Sequence, residues 1–255
     1  MCLILFAWRA HAQHQLIVAA NRDEFYERPA SAAQFWPDRP QVLAGRDLSA
    51  MGTWLGVTRG GRFAAITNFR NPAERKPTAP SRGQLVSDFL TSPSEPAAWL
   101  AAIAPRAHEY NGFSMLAGDG RTLCFYSNRN GEIAAVGPGI HGLSNHLLDT
   151  PWPKVTKGIA HMAHLLAESF DAGAYLELLA DREPATDPRL PDTGVGPELE
   201  RRLSSIHIAG DGYGTRCSTV LRIGSDGSVA FRERSYASDG TPAGTVSVEF
   251  ALERR

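Results

Sequence analysis

The chain has 255 residues, of which 43% are hydrophobic and 21% charged, and its 26 basic and 27 acidic side chains leave a formal net charge of −1. This composition is typical of a globular protein with a sizeable core, and we expect a single domain over residues 1–255. The balanced charge, without a long run of Lys or Arg, argues against an extended nucleic-acid-binding or anionic-membrane-binding surface.

The opening stretch MCLILFAW has no basic region before it and is far shorter than the roughly 20 apolar residues of a membrane-spanning helix. We therefore expect a cytoplasmic protein without stable membrane insertion. The cysteines Cys2, Cys124 and Cys217 form no CxxC pair, so reduced thiols are expected. His161 and His164 lack a carboxylate partner and GxGxxG is absent, so we predict neither a metal nor a cofactor.

The predicted elements are many short strands and few helices. Two apolar runs, CLILFAW and QLIVAAN, flank a polar stretch and predict a first β-hairpin. Residues 54–68, with the turn pair Gly60 and Gly61, predict a second hairpin. The remaining predictions, in chain order, are helices over 81–90 and 92–104, four strands within 113–145, helices over about 153–169 and 172–181, an irregular segment at 187–197, and three C-terminal strands.

Groups of strands alternate with groups of helices along this order. Such a succession is typical of an α+β protein in which two sheets stack and helices cover their outer faces. A doubly wound parallel sheet fits poorly, because the first four strands form consecutive hairpins.

Cys2 directly follows the initiator methionine. Removal of Met1, which we expect, would leave Cys2 with both a thiol and a free α-amine. The thiol is nucleophilic only as thiolate, and its ordinary pKa of about 8.5 leaves only a few per cent ionised at neutral pH. The amine, with an ordinary pKa of about 7.7–8.0, can accept the thiol proton through a water and return it to a leaving amine. Alternatively, Cys2 is a small hydrophobe in a strand.

Four polar residues, Asn21, Arg22, Asp23 and Glu24, end the second strand of the first hairpin. If the two strands pair, Asn21 to Asp23 come near the amine and thiol of Cys2. Asp23 can then hold the terminal ammonium, and Arg22 can stabilise the thiolate. An ordinary exposed turn is also rich in Asn and Asp, so this pattern alone leaves both interpretations open.

Seven stretches of the chain occur in a recognisable order: MCLILFAW, VAANRDEFYERPA, LAGRDLSAMGTWLGVTRGGRFAAITNFRNP, SRGQLVSDFL, YNGFSMLAGD, GLSNHLLDTPWPKV and GTRCSTVLRI. Together they resemble the NRDE family, also called the transport and Golgi organisation 2 family. That family is similar to N-terminal-nucleophile (Ntn) hydrolases of the choloylglycine hydrolase, penicillin V acylase and acyltransferase type. The resemblance implies a four-layer αββα sandwich of two stacked antiparallel sheets, and cleavage or transfer of linear amide bonds.

The resemblance to Ntn hydrolases also implies site residues. Cys2 matches the nucleophile, and Asp23 the residue that orients the α-amine. Asn68 in ITNF matches the donor to the oxyanion, Asn145 in LSNH lies beside the nucleophile, and Arg216 in GTRCS holds the terminus or a substrate carboxylate. Each of the last three has a structural alternative: a strand end for Asn68, turn hydrogen bonds for Asn145, and an ion pair for Arg216.

Four further residues are predicted to bind substrate: Asn21, Arg22, Arg46 and Trp54. Position 20, where these hydrolases often carry an arginine, is alanine, and Arg22 is a candidate replacement. Arg46, with Asp47 and Trp54, forms either the rim of a binding site or a corner of the core that contains a satisfied ion pair.

Two functions are therefore expected as alternatives. The first is an amidohydrolase or acyltransferase that acts on a small-molecule amide or acyl substrate through a Cys2 acyl-enzyme. The second is a non-catalytic protein on the same scaffold, which the family resemblance associates with binding of haem or lipid or with trafficking.

Overall fold

The structure, a computed structural model, describes residues 2–253 apart from the side chain of residue 187. The predicted removal of Met1 concerns a residue outside this range. The strands are β1 (Cys2–His11), β2 (His14–Phe25), β3 (Ala30–Trp36), β4 (Arg39–Asp47), β5 (Leu55–Thr58), β6 (Phe63–Asn68), β7 (Phe113–Gly118), β8 (Leu123–Ser127), β9 (Ile133–Ala135), β10 (Gly139–Leu143), β11 (Tyr213–Gly224), β12 (Ser228–Tyr236) and β13 (Pro242–Ala251). The α-helices are α1 (Arg82–Thr91), α2 (Pro96–Ile103), α3 (Pro153–Leu166), α4 (Ala172–Leu179) and α5 (Pro197–Arg202).

The strands form two antiparallel sheets. One has six strands in the order β10-β1-β2-β11-β12-β13, and the other has seven in the order β3-β4-β5-β6-β7-β8-β9. The facing sides of the sheets share one apolar core. Helices α1 and α2 cover the outer face of the seven-stranded sheet, and α3 and α4 cover that of the six-stranded sheet. The predicted α+β sandwich with αββα layers is confirmed.

Burial on both faces explains why the first two apolar runs do not alternate with polar residues. Ile4 and Phe6 of β1 enter the core between the sheets, whereas Leu3 and Leu5 pack against the helices. A strand that is covered on both faces needs apolar residues at consecutive positions, as do the parallel strands of α/β proteins.

Strands β3 and β4 were not predicted from the sequence. Only Ala33 and Trp36 of β3 are buried, because β3 is an edge strand, and the β3–β4 pairing is interrupted by register shifts. The short helix α5 was also missed, since it follows the irregular segment and has only six residues. Helix α3 ends at Leu166, three residues before the predicted end. Within residues 2–253, the helices are all too short or too polar to cross a membrane.

Candidate active site

The register of the six-stranded sheet places Cys2 at the end of the sandwich. Cys2 pairs with Arg22 of β2, and on the other side of β2 Arg22 pairs with Cys217 of β11. The next pair along β2 is Asp23 with Thr215, and a bulge leaves Arg216 between the two pairs. Cys2, Arg22 and Asp23 are therefore neighbours because of backbone pairing.

A cavity of about 440 Å³ opens beside Cys2. Its wall combines the ends of β1 and β2 with residues of the facing sheet and with the start of α1. Arg22, Trp54, Asn68 and Arg82 are among the residues that line it. The cavity lies at the place where the two sheets and α1 meet, and Cys2 is among the residues that line it.

The protonation of the Cys2 thiol is set by opposing influences. Burial raises its pKa above the ordinary value, and the carboxylate of Asp23 acts in the same direction. A hydrogen bond from the Asp23 backbone amide and the positive charge of Arg22 lower the pKa, but they do not outweigh burial. The thiol is therefore protonated at neutral pH and requires a base before it can act as a nucleophile.

Asp23 lies just beyond the Cys2–Arg22 pair and is buried, with 2% of its surface exposed. The Thr215 hydroxyl donates to Asp23 Oδ1 at 2.7 Å, and the Tyr213 hydroxyl donates to the Asp23 backbone oxygen at 3.1 Å. Burial raises the pKa of the Asp23 carboxyl, while the positive charges of Lys154 and Arg70 and the Thr215 hydrogen bond lower it. The Asp23 carboxyl is therefore held in one position, where it can stabilise a neighbouring positive charge.

Asp47 at the end of β4 holds two arginines at the cavity. Arg22 Nη2 lies 3.2 Å from Asp47 Oδ2, and Arg28 Nε lies 2.5 Å from the same oxygen. Burial would raise the pKa of Asp47, but hydrogen bonds from Arg28 and the Ala50 backbone amide hold it below the ordinary value. The Arg22 guanidinium also lies over the Trp54 ring, 4.1 Å from its centroid. Asp47 and Trp54 together fix Arg22 beside Cys2.

Asn68 lines the cavity at the end of β6, and its carboxamide makes no hydrogen bond with the described residues. Asn145 lies behind it, fully buried, with a left-handed φ of 54° that Asn adopts more readily than most residues. Asn145 Nδ2 donates to the Asn68 backbone oxygen at 3.1 Å, and the hydroxyl of the preceding Ser144 donates to the Cys2 backbone oxygen at 3.1 Å. Asn145 thus positions Asn68 rather than contacting the cavity.

The family model for Transport and Golgi organisation 2 matches residues 1–238 of the chain. The chain belongs to this family. It is 38% identical over 281 residues to the transport and Golgi organization protein 2 homolog of Bos taurus and 35% identical over 277 residues to that of Homo sapiens. Both alignments cover 99% of this chain and 100% of the relative. The predicted family resemblance is confirmed.

The fold is similar to that of the C2A mutant of conjugated bile acid hydrolase from Clostridium perfringens. The TM-score is 0.52 at 8% sequence identity, with 98% of this chain and 92% of the other covered. This likeness concerns the fold, and it agrees with the Ntn-type sandwich that the sequence resemblance implied.

Two predicted site residues of this family member form structural hydrogen bonds away from the cavity. Asn21 is buried on the helix-covered face, where Nδ2 donates to the backbone oxygens of Leu179 and Ile206 at 2.9 Å each. Arg216 Nη1 donates to three backbone oxygens of the turn after β2, at 2.8, 3.0 and 2.9 Å. Because strand side chains alternate between faces, Asn21 and Arg22 point in opposite directions, and only Arg22 reaches the cavity.

Arg46 is likewise outside the cavity lining. Its guanidinium lies 4.3 Å from the centroid of the Trp36 ring and pairs with Asp38. The corner with a satisfied ion pair that was one alternative for this region does exist, but Asp47 pairs there with Arg22 and Arg28 instead of Arg46.

Arg82, the first residue of α1, was missed by the sequence analysis although it lines the cavity. Its Nη1 donates to the Gly112 backbone oxygen at 2.9 Å, and burial lowers its pKa, whereas the nearby Cys2 raises it. The loop before Leu55 lies tightly against this helix start, since a Cβ on Gly52 would be 2.4 Å from the Gly83 carbonyl carbon. A single arginine at a helix start has no spacing that distinguishes it in the sequence.

A buried charged group behind Asp23 was also missed. Arg70 Nη1 pairs with Glu200 Oε2 at 2.6 Å, and only 5% of the Arg70 side chain and 3% of the Glu200 side chain are exposed. Lys154 of α3 is buried in the same region. These residues come from elements that are distant along the chain, so no local pattern could indicate them.

Cys217 is buried in the sheet and is not among the residues that line the cavity. Burial and the neighbouring Glu233 raise its pKa well above the ordinary value. Among residues 2–253, His, Cys, Asp and Glu side chains form no group of three or more that could hold a metal ion.

Proposed function

We propose that this member of the transport and Golgi organisation 2 family is a cytoplasmic N-terminal cysteine amidohydrolase or acyltransferase. Its substrate would be a linear amide or acyl compound, attacked by Cys2 to give a thioester. The observation that carries the proposal is the position of Cys2, which lines a cavity together with Arg22 and Asn68. A sandwich fold shared with a protein described as a hydrolase is compatible with this chemistry.

The first step is activation of the thiol. Removal of Met1 creates an α-amine on Cys2, next to the Asp23 carboxyl that Thr215 fixes. The amine accepts the thiol proton through a water, and Arg22, held by Asp47, stabilises the thiolate. Because burial raises the thiol pKa, the reaction depends on this internal base rather than on spontaneous ionisation.

The second step is attack on the substrate carbonyl. The carboxamide of Asn68 makes no hydrogen bond with the described residues, so it can donate to the developing oxyanion, and Asn145 holds its backbone. Such a donor contributes about 2.7–4 kcal/mol to stabilisation of the transition state. The amine of Cys2 then gives its proton to the leaving amine. Water, or a second amine in an acyltransferase, cleaves the thioester and regenerates the thiol.

Intact mass and acyl labelling test this proposal. The purified protein should lack Met1, and an electrophilic acyl probe should label wild type and Cys2→Ala differently, with label lost in the variant. Cys217→Ala is the matched control, because it removes a buried thiol outside the cavity, and it should retain the label. A screen of acyl amides and thioesters against wild type and Cys2→Ser then identifies the substrate class. Retained Met1, or equal labelling of Cys2→Ala, would refute the mechanism.

A second candidate is a non-catalytic haem- or lipid-binding or trafficking function. The observation that favours it is the burial of the Cys2 thiol, which raises the thiol pKa and keeps the group uncharged in a cavity that Trp54 also lines. The names of the relatives, which refer to transport and Golgi organization, agree with such a role. Saturable binding of haem or of a fatty-acyl ligand by protein that retains Met1, without turnover, is the result that would select this candidate.

A further inference from the structure

Lys154 is a buried amine that the proposed mechanism does not use. It is the second residue of α3, and 2% of its surface is exposed. Its Nζ has no hydrogen-bond partner among the described residues, and none of their ion pairs includes it. A buried ammonium group without direct partners is unfavourable for folding, so its presence beside the site calls for a functional reason.

The ionisable groups around Lys154 come from four other segments. They are Asp23 of β2, Arg70 after β6, Cys2 of β1 and Glu200 of α5. Arg70 and Glu200 form a direct ion pair, so their charges compensate each other. The other carboxyl group of the set is Asp23, and it faces Lys154 from the strand that also carries Arg22. Cys2 pairs with Arg22, the residue before Asp23, so in the processed chain the Cys2 α-amine would lie near the same carboxyl.

We propose that Lys154 is a positioning residue for the general base, whose ammonium group shares Asp23 with the α-amine of Cys2 and thereby keeps that amine in its free-base form. This inference depends on the proposed function, because it assigns a task to the amine that Met1 removal creates. It adds a residue of α3 to a mechanism that the Ntn resemblance confined to the strands and their ends.

The physical basis is competition of two amines for one carboxylate. Placing a proton on both amines would bring two positive charges together in a buried site that offers one negative charge, so the two titrations are coupled. Burial lowers the pKa of Lys154 to about 8, and the Asp23 carboxylate opposes that shift. Because two protonated amines would place two like charges in the buried site, a protonated Lys154 lowers the pKa of the α-amine, and that amine can then accept the proton of the thiol.

The test is the pH dependence of Cys2 acylation by an electrophilic acyl probe. In Lys154→Met the α-amine no longer has a competitor, so it becomes protonated beside Asp23. We expect the acid limb of the pH–rate profile to move to a pH about one unit higher than in wild type. At a given pH on that limb, labelling of the variant should then be about tenfold slower. Lys157→Met is the matched control on the same helix, because Lys157 is exposed and pairs with Asp181 and Glu183, and its profile should equal that of wild type.

The burial of Lys154 also predicts the stability of Lys154→Met. Since it replaces an unpartnered buried charge by an apolar side chain of similar length, Lys154→Met should fold with a melting temperature at or above that of wild type. Lys154→Gln, a second neutral variant, should shift the acid limb in the same direction. An unshifted limb in folded variants, or failure of both variants to fold, would show that Lys154 is structural and would overturn the inference.

The Cys2→Ala control separates this inference from the function on which it depends. Labelling that persists in Cys2→Ala, or a mass that includes Met1, overturns the proposed function and with it the role of Lys154. Labelling that is lost in Cys2→Ala, combined with identical pH profiles for wild type and Lys154→Met, overturns only the role of Lys154.

Discussion

The Asp47 carboxylate is the group whose removal tests most directly how the cavity is built. It accepts hydrogen bonds from Arg22 and Arg28, and also from the backbone amides of Ser49 and Ala50 at 3.0 Å each. Asp47→Ala leaves the Arg22 guanidinium, of which 5% is exposed, without its carboxylate. The variant also removes the acceptor that orders the loop after β4.

The expected loss follows from the burial of both partners. Breaking a buried ion pair by removal of one partner costs about 3–5 kcal/mol, because the other charge remains buried. For a chain of this size, about 1 kcal/mol corresponds to roughly 2–4 °C, so the melting temperature should fall by about 6–20 °C. The pKa of Asp47 is lowered in the folded protein, so its stabilisation is present above the ordinary Asp pKa and is lost as pH falls through the folded value.

Thermal and urea unfolding of Asp47→Ala at pH 7 measure this loss. Asp38→Ala is the matched control, because it removes a carboxylate that pairs with Arg46 but is half exposed, and it should leave the melting temperature nearly unchanged. If both variants lost the same small amount, Asp47 would not be the group that holds Arg22 beside Cys2, and the account of the cavity wall would be wrong.

Three other predictions concern single residues. Asn68→Ala should lower kcat/KM for the substrate found in the screen by about 10²–10³-fold without a change in melting temperature, and an undiminished rate would remove Asn68 from the oxyanion site. Arg216→Ala should lower the free energy of unfolding by about 2 kcal/mol, since three backbone oxygens lose their donor, while the labelling rate of folded protein stays unchanged; slower labelling would instead support the sequence-based role. Burial lowers the pKa of His207 to about 4, so wild-type stability should be full above about pH 6.5 and decline as pH falls toward 4. His207→Phe keeps the ring that packs against Tyr236 and should lack that part of the decline; equal slopes in the two urea-unfolding series would contradict the assignment.

Much of the fold was predictable because it depends on local pattern. The apolar runs around the polar turn predicted the first hairpin, and its register alone puts Cys2 opposite Arg22. The motifs also predicted the family and the sandwich. Strand β3 escaped prediction because an edge strand buries few side chains, and its alternation is correspondingly weak. Strand β4 lies inside the sheet, and its consecutive buried residues do not alternate with polar ones.

Part of the candidate site could likewise be predicted from local motifs, and part could not. Cys2, Arg22, Asp23 and Asn68 all line the cavity, as expected from motifs that sit at strand ends. Asn21 shows what a motif cannot predict. It precedes Arg22 in the sequence, but its side chain points to the opposite face of the sheet and bonds to backbone oxygens there.

The sequence by itself determined the chemistry that is available: a cysteine behind the initiator methionine, polar residues at the end of the second strand, and strands apolar enough to be covered on both sides. The tertiary structure alone decided which of these groups share an environment. Burial and the packing of α3 and α5 bring Lys154 and the Arg70–Glu200 pair behind Asp23. Electrostatic interactions depend on distance through space and on exclusion of water, and neither quantity is encoded by proximity along the chain.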